Sequence, residues 1–153
     1  MNKTKILFVC HGNICRSVMA EYIMKSLNSD ALIKSRATSF EEIGNDIYPP
    51  IKEVLKRHNI KYDRHYATRI TQEDYDNFDY IIVMDNYNLY NLKRIIKSDD
   101  YKKVYKLNNF IGSSKDIDDP WYTRQFEECY QEIYKACYAI NLKVRGKTKW
   151  KSN

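Results

Sequence analysis

The sequence has no hydrophobic run long enough to cross a bilayer. Its first apolar stretch, Ile6 to Val9 behind a basic start, is too short for a secretory signal. A cytoplasmic protein is expected. Its four cysteines, at 10, 15, 129 and 137, match no zinc spacing, and His11, His58 and His65 do not complete one. Neither a metal nor any other cofactor is expected. In that compartment the cysteines stay reduced, so a disulfide scaffold is excluded as the basis of the fold. Repeats, low-complexity tracts and linker-like stretches are also missing. The net charge of +6 comes from lysines spread along helix faces and the C-terminal tail, with no basic arm for nucleic acid. An acidic or phosphorylated partner accounts for it. At 153 residues the chain is expected to be one domain, residues 1–153, acting as a monomer.

Against these absences one stretch stands out: Val9-Cys10-His11-Gly12-Asn13-Ile14-Cys15-Arg16-Ser17. An apolar run enters it and the helical pattern Val18 to Met24 leaves it. A cysteine therefore ends a buried strand and an arginine opens a helix. Gly12 and Asn13, between them, take positive φ most easily. Backbone N–H groups of such a turn form a cradle for an anion, and the helix dipole adds to it. Cradle and dipole favour a thiolate at Cys10 over a thiol. Arg16 can hold two oxygens of a phosphate in its planar fork. As a surface residue in a first helical turn it would oppose the dipole, and that misfit argues for function.

The remaining chain alternates strands and helices. Strands are predicted at residues 4–9, 31–38, 79–85 and 104–107. Helices are predicted from Ser17 to about 28, from Pro49, after Thr71, after a cap at Asn86, and from about Tyr122 to Leu142. Residues 59–62 read as a short extended piece, 108–121 as a loop, and 143–153 as a frayed basic tail. This order implies an α/β fold with a parallel sheet covered on both faces. Its ligand site lies beyond the carboxyl ends of the strands, where Cys10 stands.

Cys10 to Ser17 resembles the signature of the low-molecular-weight protein tyrosine phosphatases, Cys-x-Gly-Asn-x-Cys-Arg-Ser, at every fixed position. Asp119-Pro120-Trp121-Tyr122 is similar to the family's second element, Asp-Pro followed by two aromatics. Weaker likenesses lie at 37–39, 65–74 and 78–85. The resemblance implies a flavodoxin-like three-layer fold with a four-stranded parallel sheet. It also implies metal-independent hydrolysis of phosphotyrosine through a phosphocysteine intermediate. Partners are then a phosphotyrosine protein or small aryl phosphate as substrate and inorganic phosphate as product, with no nucleic acid and no membrane.

Cys10 would attack phosphorus and Arg16 would clamp the equatorial oxygens. Ser17 would donate to the sulfur, or serve only as an N-cap. Asp119 would protonate the tyrosine oxygen, whose conjugate acid has a pKa of roughly 10; Asp118 is the fallback. His11, Gly12, Asn13, Ile14 and Cys15 would bind phosphate or shape its loop. Trp121 and Tyr122 would wall the cleft, with Phe40 opposite. A Cys10–Cys15 disulfide would make the nucleophile reversibly redox-sensitive. Val18 stands where the family usually has proline, and His65 matches a histidine that supports the loop.

Three rivals share the anion loop. A phosphoarginine phosphatase tends to carry threonine where Ile14 stands. A thiol-linked arsenate reductase needs a cysteine relay, but Cys129 and Cys137 on one helix lie about 12 Å apart, beyond the roughly 7 Å a disulfide spans. A silent phosphate-binding module would keep the cradle but need not keep both Cys10 and Asp119, and their joint presence argues for an enzyme.

Overall fold

In the computed structural model, residues 3–151 are described, with side chains to residue 145. Four strands, β1 (Lys5–Cys10), β2 (Leu32–Ala37), β3 (Tyr80–Val83) and β4 (Val104–Lys106), form one sheet in the order β2-β1-β3-β4. Every pairing is parallel, from Lys5↔Leu32 to Cys10↔Ala37, Ile6↔Tyr80 to Val9↔Val83, and Ile81↔Val104 to Val83↔Lys106. This is a flavodoxin-like α/β fold.

β1 is apolar throughout because both of its faces are covered. Ile6, Phe8 and Cys10 point into one core with Val18, Ile23, Ile51, Leu55, Ile133 and Cys137. These belong to α1 (Arg16–Leu27), α2 (Pro49–Arg57) and α6 (Phe126–Lys151). Leu7 and Val9 point to the other face, against Tyr75 and Leu92 of α3 (Gln72–Asn77) and α4 (Asn86–Ile95). Side chains alternate across a strand, so one continuous apolar run feeds two layers. Among the described residues no helix is long and apolar enough to cross a membrane.

Several boundaries differ from the expectations. Asp85, not Asn86, caps α4; its carboxylate accepts from the Asn88 N–H at 2.7 Å in a reciprocal box. Thr71 caps α3 as anticipated. Ser17 does not cap α1. Cys15 occupies that position without a side-chain bond, and the Ser17 N–H instead points at Cys10 Sγ, 3.4 Å away. Residues 59–62 pair with no strand, because Asn59 closes α2 with φ 58°. The expected loop 108–121 holds a 3-10 turn, Leu107–Ile111, and a one-turn helix α5 (Pro120–Thr123). Arg124, at φ 60°, separates α5 from α6, so the last helix starts at Phe126, not near Tyr122. It then runs on through the expected tail to Lys151, with Val144 buried; residues 152–153 of that tail lie outside the described residues.

Candidate active site

β1 ends at Cys10 in the middle of the sheet, where β2 and β3 flank it, and the chain turns through residues 11–15 into α1. The turn's carbonyls are drawn outward by neighbouring segments. Cys10 O accepts from the Thr38 N–H at 2.9 Å, His11 O from Ser39 at 3.1 Å and Ile14 O from Tyr48 at 3.0 Å. Asn13 O accepts from His65 Nε2 at 2.6 Å. The Asn13 and Ser17 N–H groups point inward, each 3.4 Å from Cys10 Sγ. That is the backbone geometry of an anion nest. Asn13 sits at φ 61°, the left-handed region that asparagine tolerates better than most residues.

A buried polar chain runs behind Cys10. Asn13 Nδ2 donates to Ser17 Oγ at 2.8 Å and to Ser35 Oγ at 2.9 Å, and Ser35 donates to Glu21 at 2.5 Å. The Thr68 N–H donates to Asn13 Oδ1 at 3.2 Å. Ser17 Oγ lies 3.0 Å from Cys10 Sγ. Because Asn13 occupies the hydroxyl oxygen, the Ser17 hydrogen is free to point at sulfur whenever that sulfur is an anion. A thiolate here thus has three donors, and charge-assisted hydrogen bonds are the strong ones.

Arg16 is 2% exposed. Its Nη1 donates to Asp85 Oδ2 and to the Ile117 carbonyl, both at 2.7 Å, and Nη2 lies 3.5 Å from Asp119 Oδ2. Burial works against its charge, but Cys10, Asp119 and Asp85 more than offset that and hold the guanidinium above its ordinary value. Nε is buried without a partner. The fork is therefore fixed at one end, while Nε and Nη2 remain for an anion.

These groups open into one cavity of about 100 Å³, floored by Cys10, Gly12, Ile14, Cys15 and Arg16 and bounded by His11, Glu41, Glu42, Asp119, Trp121 and Tyr122. Residues 5–149 match the family model described as low molecular weight phosphotyrosine protein phosphatase. The chain belongs to that family. The human low molecular weight phosphotyrosine protein phosphatase is 40% identical over 148 residues, 88% of this chain and 92% of its own. The crystal structure of YfkJ from Bacillus subtilis superposes with a TM-score of 0.89 at 32% identity, covering 96% of this chain and 98% of that one. Vibrio vulnificus Wzb in complex with benzylphosphonate gives 0.84 at 28% identity, covering 93% and 99%.

The family's Asp-Pro element comes to the cavity by a long route. Asp119 is the N-cap of α5: Oδ1 accepts from the Trp121 N–H at 3.0 Å, and Oδ2 faces Arg16. Asp118 is exposed and outside the cavity lining, and Asp116 is turned away toward Lys106. Trp121 leans on Tyr48, with ring centroids 4.8 Å apart, and Tyr122 is exposed at the mouth. His11 stands on the rim, 2.7 Å from Glu41.

Phe40 does not wall the cleft. It is exposed, lies under the Arg69 guanidinium at 4.2 Å, and is not part of the lining. The next two residues, Glu41 and Glu42, take that side, because the loop turns Phe40 away from the cavity. Asn13 also stays out of the cavity, fully buried behind the loop. All four cysteines are free thiols, Cys10 and Cys15 included. Burial pushes the Cys15 thiol up, and it pushes that of Cys129 up to about 12. Cys129 and Cys137 lie on the same unbroken helix, so the relay an arsenate reductase requires does not form.

Asp85, Ser35 and Glu21 went unpredicted. Asp85 carried one signal: it stands two residues past the end of the apolar strand that neighbours β1, at the sheet's carboxyl edge.

Proposed function

We propose that the chain hydrolyses phosphotyrosine with Cys10 as nucleophile, Arg16 as clamp and Asp119 as general acid and base. The observation that carries this is the convergence of Cys10 Sγ, the free edge of Arg16 and the Asp119 carboxylate on one cavity. Cys10 thiolate attacks phosphorus, the bond to the tyrosine oxygen breaks, and Asp119 delivers a proton to that oxygen. Cys10 then carries the phosphoryl group. The ionised Asp119 takes a proton from water, whose oxygen attacks phosphorus, and the sulfur–phosphorus bond breaks. Phosphate and the thiolate leave that step, and Asp119 ends it protonated. Throughout, Arg16 Nε and Nη2 and the loop N–H groups meet the equatorial oxygens, where charge is carried. Ser17 donates to sulfur as attacker and as leaving group.

Trp121 and Tyr122 offer aromatic faces to a phosphotyrosine ring. The benzylphosphonate of the Wzb complex, an aromatic ring joined to a phosphorus acid, is a ligand of the same shape. Ile14, in the cavity floor, offers no hydroxyl to a guanidinium and favours the tyrosine ester over phosphoarginine. The chemistry uses only this chain's own side chains, in a single domain working as a monomer in the reducing cytoplasm. Its partner is a phosphotyrosine protein, not nucleic acid or a membrane.

The test is hydrolysis of phenyl phosphate in chelator. Cys10→Ser is expected to lower kcat on the order of 10⁵-fold, and Asp119→Ala to lower kcat/KM by about 10²–10⁴-fold. An inactive parent, or a fully active Cys10→Ser, would overturn the proposal.

A further inference from the structure

The acid segment, residues 112–119, reaches the cavity as a loop, yet Asp119 must stand at a fixed distance from Cys10 and Arg16. Its ties to the sheet are few. The Ile117 N–H donates to Met84 O at 2.9 Å, and Asn108 Nδ2 donates to Lys115 O at 3.0 Å. Besides the Arg16 guanidinium, which donates to the Ile117 carbonyl at 2.7 Å, a second charged tie comes from Lys106, the last residue of β4, whose Cα pairs with that of Val83. Its side chain is only 10% exposed. The ammonium donates to the Ser114 carbonyl and, at 2.7 Å, to Asp116 Oδ1. The same oxygen accepts from the Asn86 N–H at 3.2 Å, one residue beyond the Asp85 that holds Arg16.

We propose that Lys106 is a positioning residue for the general acid: it clamps Ser114 and Asp116 to the sheet edge, fixing Asp119 over the nucleophile. A largely buried ammonium gives up its hydration, and pairing with good geometry must offset that loss. A plain surface pair would not require that burial. The clamp also joins two halves of the site. Through Asp116 and Asn86 it sets the acid loop against the start of α4, and through Asp85 that start sets the guanidinium. Displacing a catalytic group by about 1 Å can cost roughly 10²-fold, and without Lys106 the Asp116 carboxylate loses its cation beside Asp118 and Asp119.

This inference rests on Asp119 acting as the acid, and the experiment separates the two. An acid matters most for a basic leaving group, so kcat/KM is compared for phenyl phosphate and for p-nitrophenyl phosphate, whose leaving group is far less basic. Lys106→Met is expected to lower the phenyl phosphate value about tenfold and the other less than about threefold. Asp116→Asn, a half-exposed site where folding is not at stake, is expected to shift the ratio the same way by a smaller factor. In an Asp119→Ala background, Lys106→Met is expected to leave the ratio where Asp119→Ala alone puts it. Equal losses on both substrates in Lys106→Met and Asp116→Asn would make the pair merely structural and overturn the inference. So would a further shift in the Asp119→Ala background. Should Asp119→Ala itself leave the ratio unchanged, the acid assignment falls first and this inference with it.

Discussion

The loop of the proposed nucleophile Cys10 and the segment of the proposed acid Asp119 meet at one cavity but are held there by different means. Around Cys10 every tie to the sulfur comes from within seven residues: two backbone N–H groups and one hydroxyl. Behind them lies a buried polar chain in which each member is engaged. The acid segment is tied from 7 to 103 residues away, by Asn108, Lys106, Met84 and Arg16. Asp119 itself is partly exposed and faces its cation at 3.5 Å. An attacking atom can be placed by local geometry, because strand, turn and helix follow one another directly. The group on the far side of the phosphorus cannot, since in-line attack puts it opposite. It has to be brought over from another edge of the fold and left room to exchange a proton with substrate and water.

Arg16 belongs to both regions, so breaking it should have the largest effect. Lysine has its donors on one atom and cannot reach Asp85, the Ile117 carbonyl and a phosphate together. Arg16→Lys is expected to lower kcat/KM by about 10²–10³-fold, equally for phenyl and p-nitrophenyl phosphate. A loss confined to phenyl phosphate would move Arg16 wholly to the acid side of the comparison.

Asn13 belongs to the nucleophile loop alone. Asn13→Ala removes the donor to Ser17 and puts alanine at φ 61°. It is expected to cost about 2 kcal/mol of stability and roughly tenfold in kcat. Asn13→Gly tolerates that φ and separates the two losses. Denaturant melts should recover part of the stability while kcat stays low, since the amide, not the backbone, turns the Ser17 hydrogen toward sulfur. Recovery of kcat with glycine would show that the loop's shape is all that matters.

The same contrast explains what was legible in the sequence. The apolar run of β1, the Gly-Asn turn and the cysteine–arginine spacing are neighbours in the chain, so residue types alone placed a phosphate loop at the end of a strand. Asp119 was reached only through its likeness to a family element. Ser35 and Lys106 carry no local mark of their roles: Ser35 reaches Asn13 through the pairing of β2 with β1, and Lys106 acts on a loop that folds back over the end of β4. Asp85 is marked only by its place at the sheet's carboxyl edge. Phe40 was misplaced for a related reason: a loop's apolar residue points where tertiary contacts turn it, and Arg69 covers it on the outside. The caps show the rule at small scale. Thr71 finds its donor, the Asp74 N–H, within its own turn, whereas the Ser17 hydroxyl is taken by Cys10 and Asn13, so its capping propensity is overridden.

The smallest effect sharpens the comparison from beneath the nucleophile loop. His65 is 8% exposed, and its Nε2 must carry the proton it donates to the Asn13 carbonyl. Burial lowers its pKa below the ordinary value, against weaker opposite pulls from Asn13, Glu21 and Asp46. In the unfolded chain a histidine titrates near 6.5. As pH falls through about that value the unfolded chain gains a proton that folded His65 resists. The stability it contributes is full above the unfolded pKa and is lost as pH falls toward the lower folded one. Denaturant midpoints measured from pH 7.5 down to 5.5 should therefore decline, and His65→Gln, whose amide can still donate to Asn13, should flatten that part of the slope. An unchanged slope in His65→Gln would mean that the loop's pH response arises elsewhere. If the slope flattens while aryl phosphate hydrolysis by His65→Gln persists, the histidine supports the nucleophile loop without belonging to its chemistry.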